Sequence, residues 1–145
     1  MPTITHVFHI DKPQEEVFEK LITVEAIKAW WTEDTVGTDG PGGELTFIFN
    51  GTPLCTMKVV DQTAPNRLEW ECIKGYPDWV GTRVTYELSQ NDGKTKVFFT
   101  HSGWAEQTEF FAQCNFSWGR YMVSLRDLCE KGKGDPWPML AEAQA

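Results

Sequence analysis

The side chain best placed for chemistry is His101, which closes the alternating row Val97, Phe99, His101 within Thr95 to Ser102. Residues two apart on a strand share a face, so this imidazole has apolar neighbours. There it can hydrogen-bond a ligand carbonyl or move a proton near neutral pH. Tyr86, on the row Val84, Tyr86, Leu88, is the phenol that would work with it. The competing reading is a buried neutral histidine satisfied by a backbone group or by Tyr86. For catalysis that reading is favoured, because no carboxylate nearby in sequence would orient the ring. For contact with a ligand the two stand level.

Other reactive side chains point to less. Glu69 and Glu71 flank Trp70 and so share the opposite face, where they are expected to be solvated. Asp78, Glu106 and Glu109 are expected near a cavity rim, also solvated. Cys55, Cys72, Cys114 and Cys129 show neither C-x-x-C pairing nor a histidine at zinc-ligand spacing. Each sits in an apolar pattern, as small buried thiols do in a reducing compartment. No Ser-His-Asp spacing or phosphate-cradling glycine loop occurs, so neither metal nor cofactor is expected.

Composition narrows the partners. Hydrophobic residues make up 41% of the 145 and charged residues 23%, a globular balance. Seven Trp and nine Phe are many for this length, and large flat side chains fill cores or line clefts for ring-bearing ligands. A net charge of −8 with scattered basic residues argues against nucleic acid and anionic membranes. No apolar run reaches a membrane span and no leader pattern opens the chain, so a cytoplasmic protein is expected.

The elements that must position these residues follow from periodicity and punctuation. Ile4 to Ile10 alternates as a strand. Pro13, with Glu15 and Glu16 behind it, starts a helix whose apolar face is Val17, Phe18, Leu21 and Ile22. Thr23 reads as the N-cap of a second short helix carrying Val24, Ile27, Trp30 and Trp31. After an irregular stretch from Gly37 to Gly43 come about five strands: Glu44–Phe49, Cys55–Val60, Arg67–Ile73, Thr82–Ser89 and Thr95–Ser102. Asn50-Gly51 and Asn91-Asp92-Gly93 mark hairpins, and Lys74 to Gly81 reads as a loop. From about Gln107 a long helix carries Phe111, Cys114, Trp118, Met122, Leu125 and Cys129 on one stripe, ended by Gly132, Gly134 and Pro136. The fold class is therefore α+β: a curved antiparallel sheet wrapped around a long C-terminal helix, with two short helices after the first strand. Residues 1–136 form one domain and 137–145 a tail.

Several stretches together resemble a known family. Ile10-Asp11-Lys12-Pro13-Gln14-Glu15-Glu16-Val17-Phe18, the pair Trp30-Trp31 and Gly42-Gly43-Glu44-Leu45 are similar to the START-like superfamily. Thr100-His101-Ser102-Gly103-Trp104 and Ser124 to Gly132 resemble its branch named after the activator of the heat-shock-protein-90 ATPase. The resemblance implies a helix-grip fold with a cavity between sheet and C-terminal helix, and relatives that carry lipids, hormones or polyketides there. The eukaryotic activator has a further N-terminal domain that a chain of this length is not expected to hold, so its co-chaperone activity is not expected here.

The functional expectation is a binding domain for a small apolar or amphipathic molecule. Phe47, Phe49, Trp70, Tyr86, Phe99, His101, Trp118 and Met122 should line its cavity, and Trp30, Trp31, Tyr76 and Trp79 should gate it. Alternatives are a cyclase- or hydrolase-like enzyme using His101 and Tyr86, and a stress- or chaperone-linked interaction module. Val7, Ile48 and Phe98, apolar on outer rows, suggest a homodimer.

Overall fold

Alternation in the sequence becomes seven strands of one antiparallel sheet, ordered β1-β7-β6-β5-β4-β3-β2. In the computed structural model, residues 1–139 are described. Strand β1 (Ile4–Ile10) leads into α1 (Gln14–Ile22) and α2 (Val24–Lys28). Then come β2 (Thr35–Gly37), β3 (Glu44–Phe49), β4 (Thr52–Thr63), β5 (Arg67–Gly75), β6 (Arg83–Asn91) and β7 (Lys94–Ser102), and α3 (Glu109–Lys131). Six strands therefore follow the helices where about five were expected. The additional one, β2, has only three residues, too few for an alternation to register, and is held by the edge of β3.

Local chemistry explains the boundaries. Thr23 caps α2 by accepting from Ala26 N–H at 3.1 Å, and Thr108 caps α3 by accepting from Phe111 N–H at 3.2 Å. Pro13 occupies the N-cap position of α1, one residue ahead of the expected first turn. Asn50 and Gly51 both have positive φ, the left-handed pair that a two-residue hairpin turn demands. Strand β4 is longer than its alternation suggests because register shifts near Thr56 and Val59 interrupt the pattern without ending the pairing.

The α3 stripe faces the concave side of the sheet, with Phe111, Cys114, Trp118, Met122 and Leu125 buried. What fills the centre of the grip is Trp31, which follows α2. Its ring lies 4.1 Å from Phe47, 4.8 Å from Trp118 and 6.1 Å, nearly parallel, from Trp70. Thr32 anchors that segment by donating to Ile48 O at 2.8 Å.

The outer face departs from expectation at two places. Glu69 is not solvated: it is only 9% exposed and accepts from Arg67 at 2.6 Å and from Arg83. Burial alone would raise its pKa, but the two guanidinium hydrogen bonds outweigh this and hold the carboxyl below its usual range. Val7 and Phe98 stand directly opposite each other on β1 and β7, whereas Ile48 on β3 is strands away, so the three do not form one patch.

Candidate functional site

A hollow with a strongly aromatic lining lies not at the centre of the grip but at one end. It is a cleft of about 330 Å³ between the N-terminal half of α3, the β3–β4 hairpin and the β5–β6 loop. Two rows of α3 side chains form one wall. Phe110, Cys114, Trp118 and Tyr121 follow each other at helical spacing as an apolar row, and Gln113, Ser117 and Arg120 form a polar row beside it. Phe49 and Leu54 supply the sheet side, Tyr76 and Trp79 come from the loop, and Trp31 exposes an edge from the packed centre.

A strap after α3 completes the rim. Gly132, in the left-handed region, ends the helix with its N–H donating to Leu128 O. Gly134 then passes so close that an added Cβ would lie 2.4 Å from Ala29 O, and Asp135 N–H donates to Ser124 Oγ at 2.7 Å. Trp137 N–H donates to Trp31 O at 2.8 Å, and Trp137 O accepts from Glu33 N–H at 2.9 Å. The Trp137 indole donates to Asn50 Oδ1 at 3.3 Å and stands 6.3 Å from the Phe49 ring. The expected tail from 137 thus begins with a residue built into the rim; residues 140–145 lie outside the described residues.

The expected lining residues divide. Phe49 and Trp118 line this cleft, as do three of the expected gate residues, Trp31, Tyr76 and Trp79. Phe47, Trp70, Tyr86, Phe99 and His101 are in the packed core behind Trp31 and Trp118, each at most 1% exposed. Met122 faces a separate shallow hollow beside His6 and Val7. Trp30 is fully buried, its indole donating to Lys20 O at 2.8 Å, and does not reach the cleft. These side chains are buried, and Trp31 occupies the space between sheet and helix that the sequence leaves for a cavity.

His101 is bound on both sides. Its Nδ1 accepts from the Trp118 indole at 3.1 Å and its Nε2 lies 2.9 Å from Thr82 Oγ1. Since the Thr82 hydroxyl donates to Trp79 O, its oxygen accepts, which places the imidazole proton on Nε2. The partners are Thr82 and Trp118, not a backbone group or Tyr86. Burial pushes the imidazole down to about 3, so it is neutral at physiological pH. Tyr86 is equally enclosed: its hydroxyl is buried without a partner, and burial raises it well above the usual phenol range. Neither group meets the cleft.

Its polar opportunities lie elsewhere. The buried Trp79 indole N–H points toward Cys114 without completing a hydrogen bond. Burial raises the Cys114 thiol to about 11, with that N–H opposing, so Cys114 stays protonated. All four cysteines are free, and no cluster of potential metal ligands occurs among the described residues. No helix among the described residues is long and apolar enough to cross a membrane.

Comparison with known proteins gives the same architecture. Residues 11–130 match the family described as Activator of Hsp90 ATPase homolog 1-like protein. The solution structure of the Aha1 dimer from Colwellia psychrerythraea superposes with a TM-score of 0.85 at 35% identity, covering 92% of this chain and 100% of that one. Protein MLL2253 from Mesorhizobium loti gives 0.76 at 17% identity, over 88% and 96% of the two chains. CalU16 from Micromonospora echinospora gives 0.74 at 19% identity, over 92% and 76%. The last two share the fold alone. No curated protein matches the chain.

Proposed function

The chain belongs to the Activator of Hsp90 ATPase homolog 1-like family, and from that premise we propose that it binds a small apolar or amphipathic molecule in the cleft beside Trp31, Trp118 and Trp137. The observation that carries this reading is the lining: eight of its fifteen residues are aromatic, in a concavity large enough for a small ring system. Recognition would come from shape and ring contacts, with one or two polar groups fixing orientation. His101 and Tyr86 take no part, because both are walled off from the cleft. A cytoplasmic setting fits the four free thiols. The test is native mass spectrometry of protein purified from its own cells. A co-purifying small molecule released on unfolding is expected, and its repeated absence, with no probe binding by calorimetry, would end the reading.

A second reading, a module that docks on another protein, is favoured by the filled centre of the grip and by Phe116, 83% exposed on the outer side of α3. It predicts that Phe116→Ser abolishes capture of a partner while leaving the cleft's ligands unaffected. The 35%-identical relative is a dimer in solution, and we propose a homodimer here too. Val7 and Phe98, facing each other across β1 and β7 at 54% and 39% exposure, are the outer-sheet pair such an interface would cover. Analytical ultracentrifugation showing a monomer at every concentration would exclude it.

A further inference from the structure

We propose that the ligand of this cleft is an amphipathic carboxylate, with the guanidinium of Arg120 as its counter-ion; this rests on the ligand-binding reading above. Among the described residues, Arg120 is the one charged side chain of the lining, and no Asp or Glu is among the fifteen. The chain as a whole carries 21 acidic residues against 13 basic ones. A ligand cation would find no carboxylate among these lining residues, whereas an acid meets the positive charge of Arg120, whose ion-pair partner Asp135 lies outside them.

The guanidinium is held but not spent. Its Nη2 lies 3.5 Å from Asp135 Oδ2, beyond good hydrogen-bond distance, and Asp135 is largely exposed. The same group lies 5.5 Å from the centre of the Tyr121 ring, which fixes the side chain along the wall. The planar fork keeps donors for bidentate pairing with a carboxylate. Ser117 and Gln113, one and two turns back along α3, continue the polar row, and the aromatic row of Trp118 and Tyr121 runs beside it. A ligand laid along α3 therefore meets rings on one side and donors on the other, with the positive charge at one end. That pattern is complementary to a flat apolar body ending in an acid.

Three probes of one skeleton separate charge from shape: 2-naphthylacetate, 2-(2-naphthyl)ethanol and 2-(2-naphthyl)ethylamine, titrated by calorimetry into the whole chain. The acid should bind about three- to tenfold tighter than the alcohol, the range for a charge-assisted pair discounted for its half-exposed site. The amine should bind weakest. Arg120→Gln should close the gap, bringing the acid to the affinity that the same variant shows for the alcohol, with an unchanged circular-dichroism spectrum and urea midpoint reporting an intact fold. Equal binding of acid and alcohol to the wild type, or a gap that survives Arg120→Gln, overturns the proposal while the cleft remains a binding site. Failure of all three probes to bind the wild type overturns the ligand-binding reading itself.

Discussion

Acidification from pH 7 to pH 4.5 is expected to destabilise the chain mainly through one side chain, His101. In the native state burial holds its imidazole down to about 3, while an unfolded histidine titrates near 6.5. Below about 6.5 the unfolded chain therefore takes up a proton that the folded chain refuses. Its stabilising contribution is complete above that pH and shrinks as the pH falls toward 3. Each pH unit inside the window removes up to about 1.4 kcal/mol, so roughly 2–3 kcal/mol is lost by pH 4.5. Asp61 and Glu69, both held below their usual range, act in the same direction. They do so only as the pH approaches the ordinary carboxylate values near 4, which leaves the upper window to His101. The assay is urea unfolding by circular dichroism at half-unit steps from pH 7 to 4.5, on the wild type and on His101→Gln. The variant should start lower, by about 1–3 kcal/mol for each partner left unsatisfied among Thr82 and the Trp118 indole. Its stability should then be nearly flat across the window where the wild type falls. A variant with the wild-type slope would show that His101 is not the buried neutral bridge described here.

Trp31→Ala should cost about 3–5 kcal/mol in the same urea assay, since it empties the centre of the grip; a loss under about 1 kcal/mol would mean that neighbouring rings fill the space. Gly134→Ala should cost at least about 1 kcal/mol, because the new Cβ meets Ala29 O, and should raise quencher access to Trp137; an unchanged quenching profile would detach the strap from the rim. Glu69→Ala should cost about 1–2 kcal/mol, more than a typical surface ion pair, because two guanidinium groups lose a largely buried partner; a loss within about 0.5 kcal/mol, the usual scale of surface changes, would return it to the solvated role.

Much of the fold was written in the chain because its periods are local. The rows of β6 and β7 alternate, and the α3 stripe repeats at three and four residues, so each element shows its inner face without reference to the others. The site was less legible, for three physical reasons. Trp31 is expected on the second short helix, but α2 ends at Lys28, so helical spacing does not fix the direction of its side chain, and its insertion decides that the centre is filled. Trp137 follows Gly132, Gly134 and Pro136, which announce the end of regular structure; its place comes from long-range hydrogen bonds to Trp31 and Glu33. Gln113, Ser117 and Arg120 look like the wet side of an amphipathic helix, and become a cleft wall only because the strap and the β3–β4 hairpin rise beside them. Glu69 was misplaced for a related reason: its alternation is that of a wet row, and its burial is created by arginines on its own strand and the next.

The indole N–H spectrum tests the central claim most directly, because the seven tryptophans report on cleft and core separately. Titration of isotopically labelled protein with 2-(2-naphthyl)ethanol, the neutral probe, should shift the signals of Trp31, Trp79, Trp118 and Trp137, the four that line the cleft. Trp30, Trp70 and Trp104, buried outside it, should move least. Shifts concentrated on those three, or no shift in any of the seven, would contradict the assignment of this cleft as the binding site.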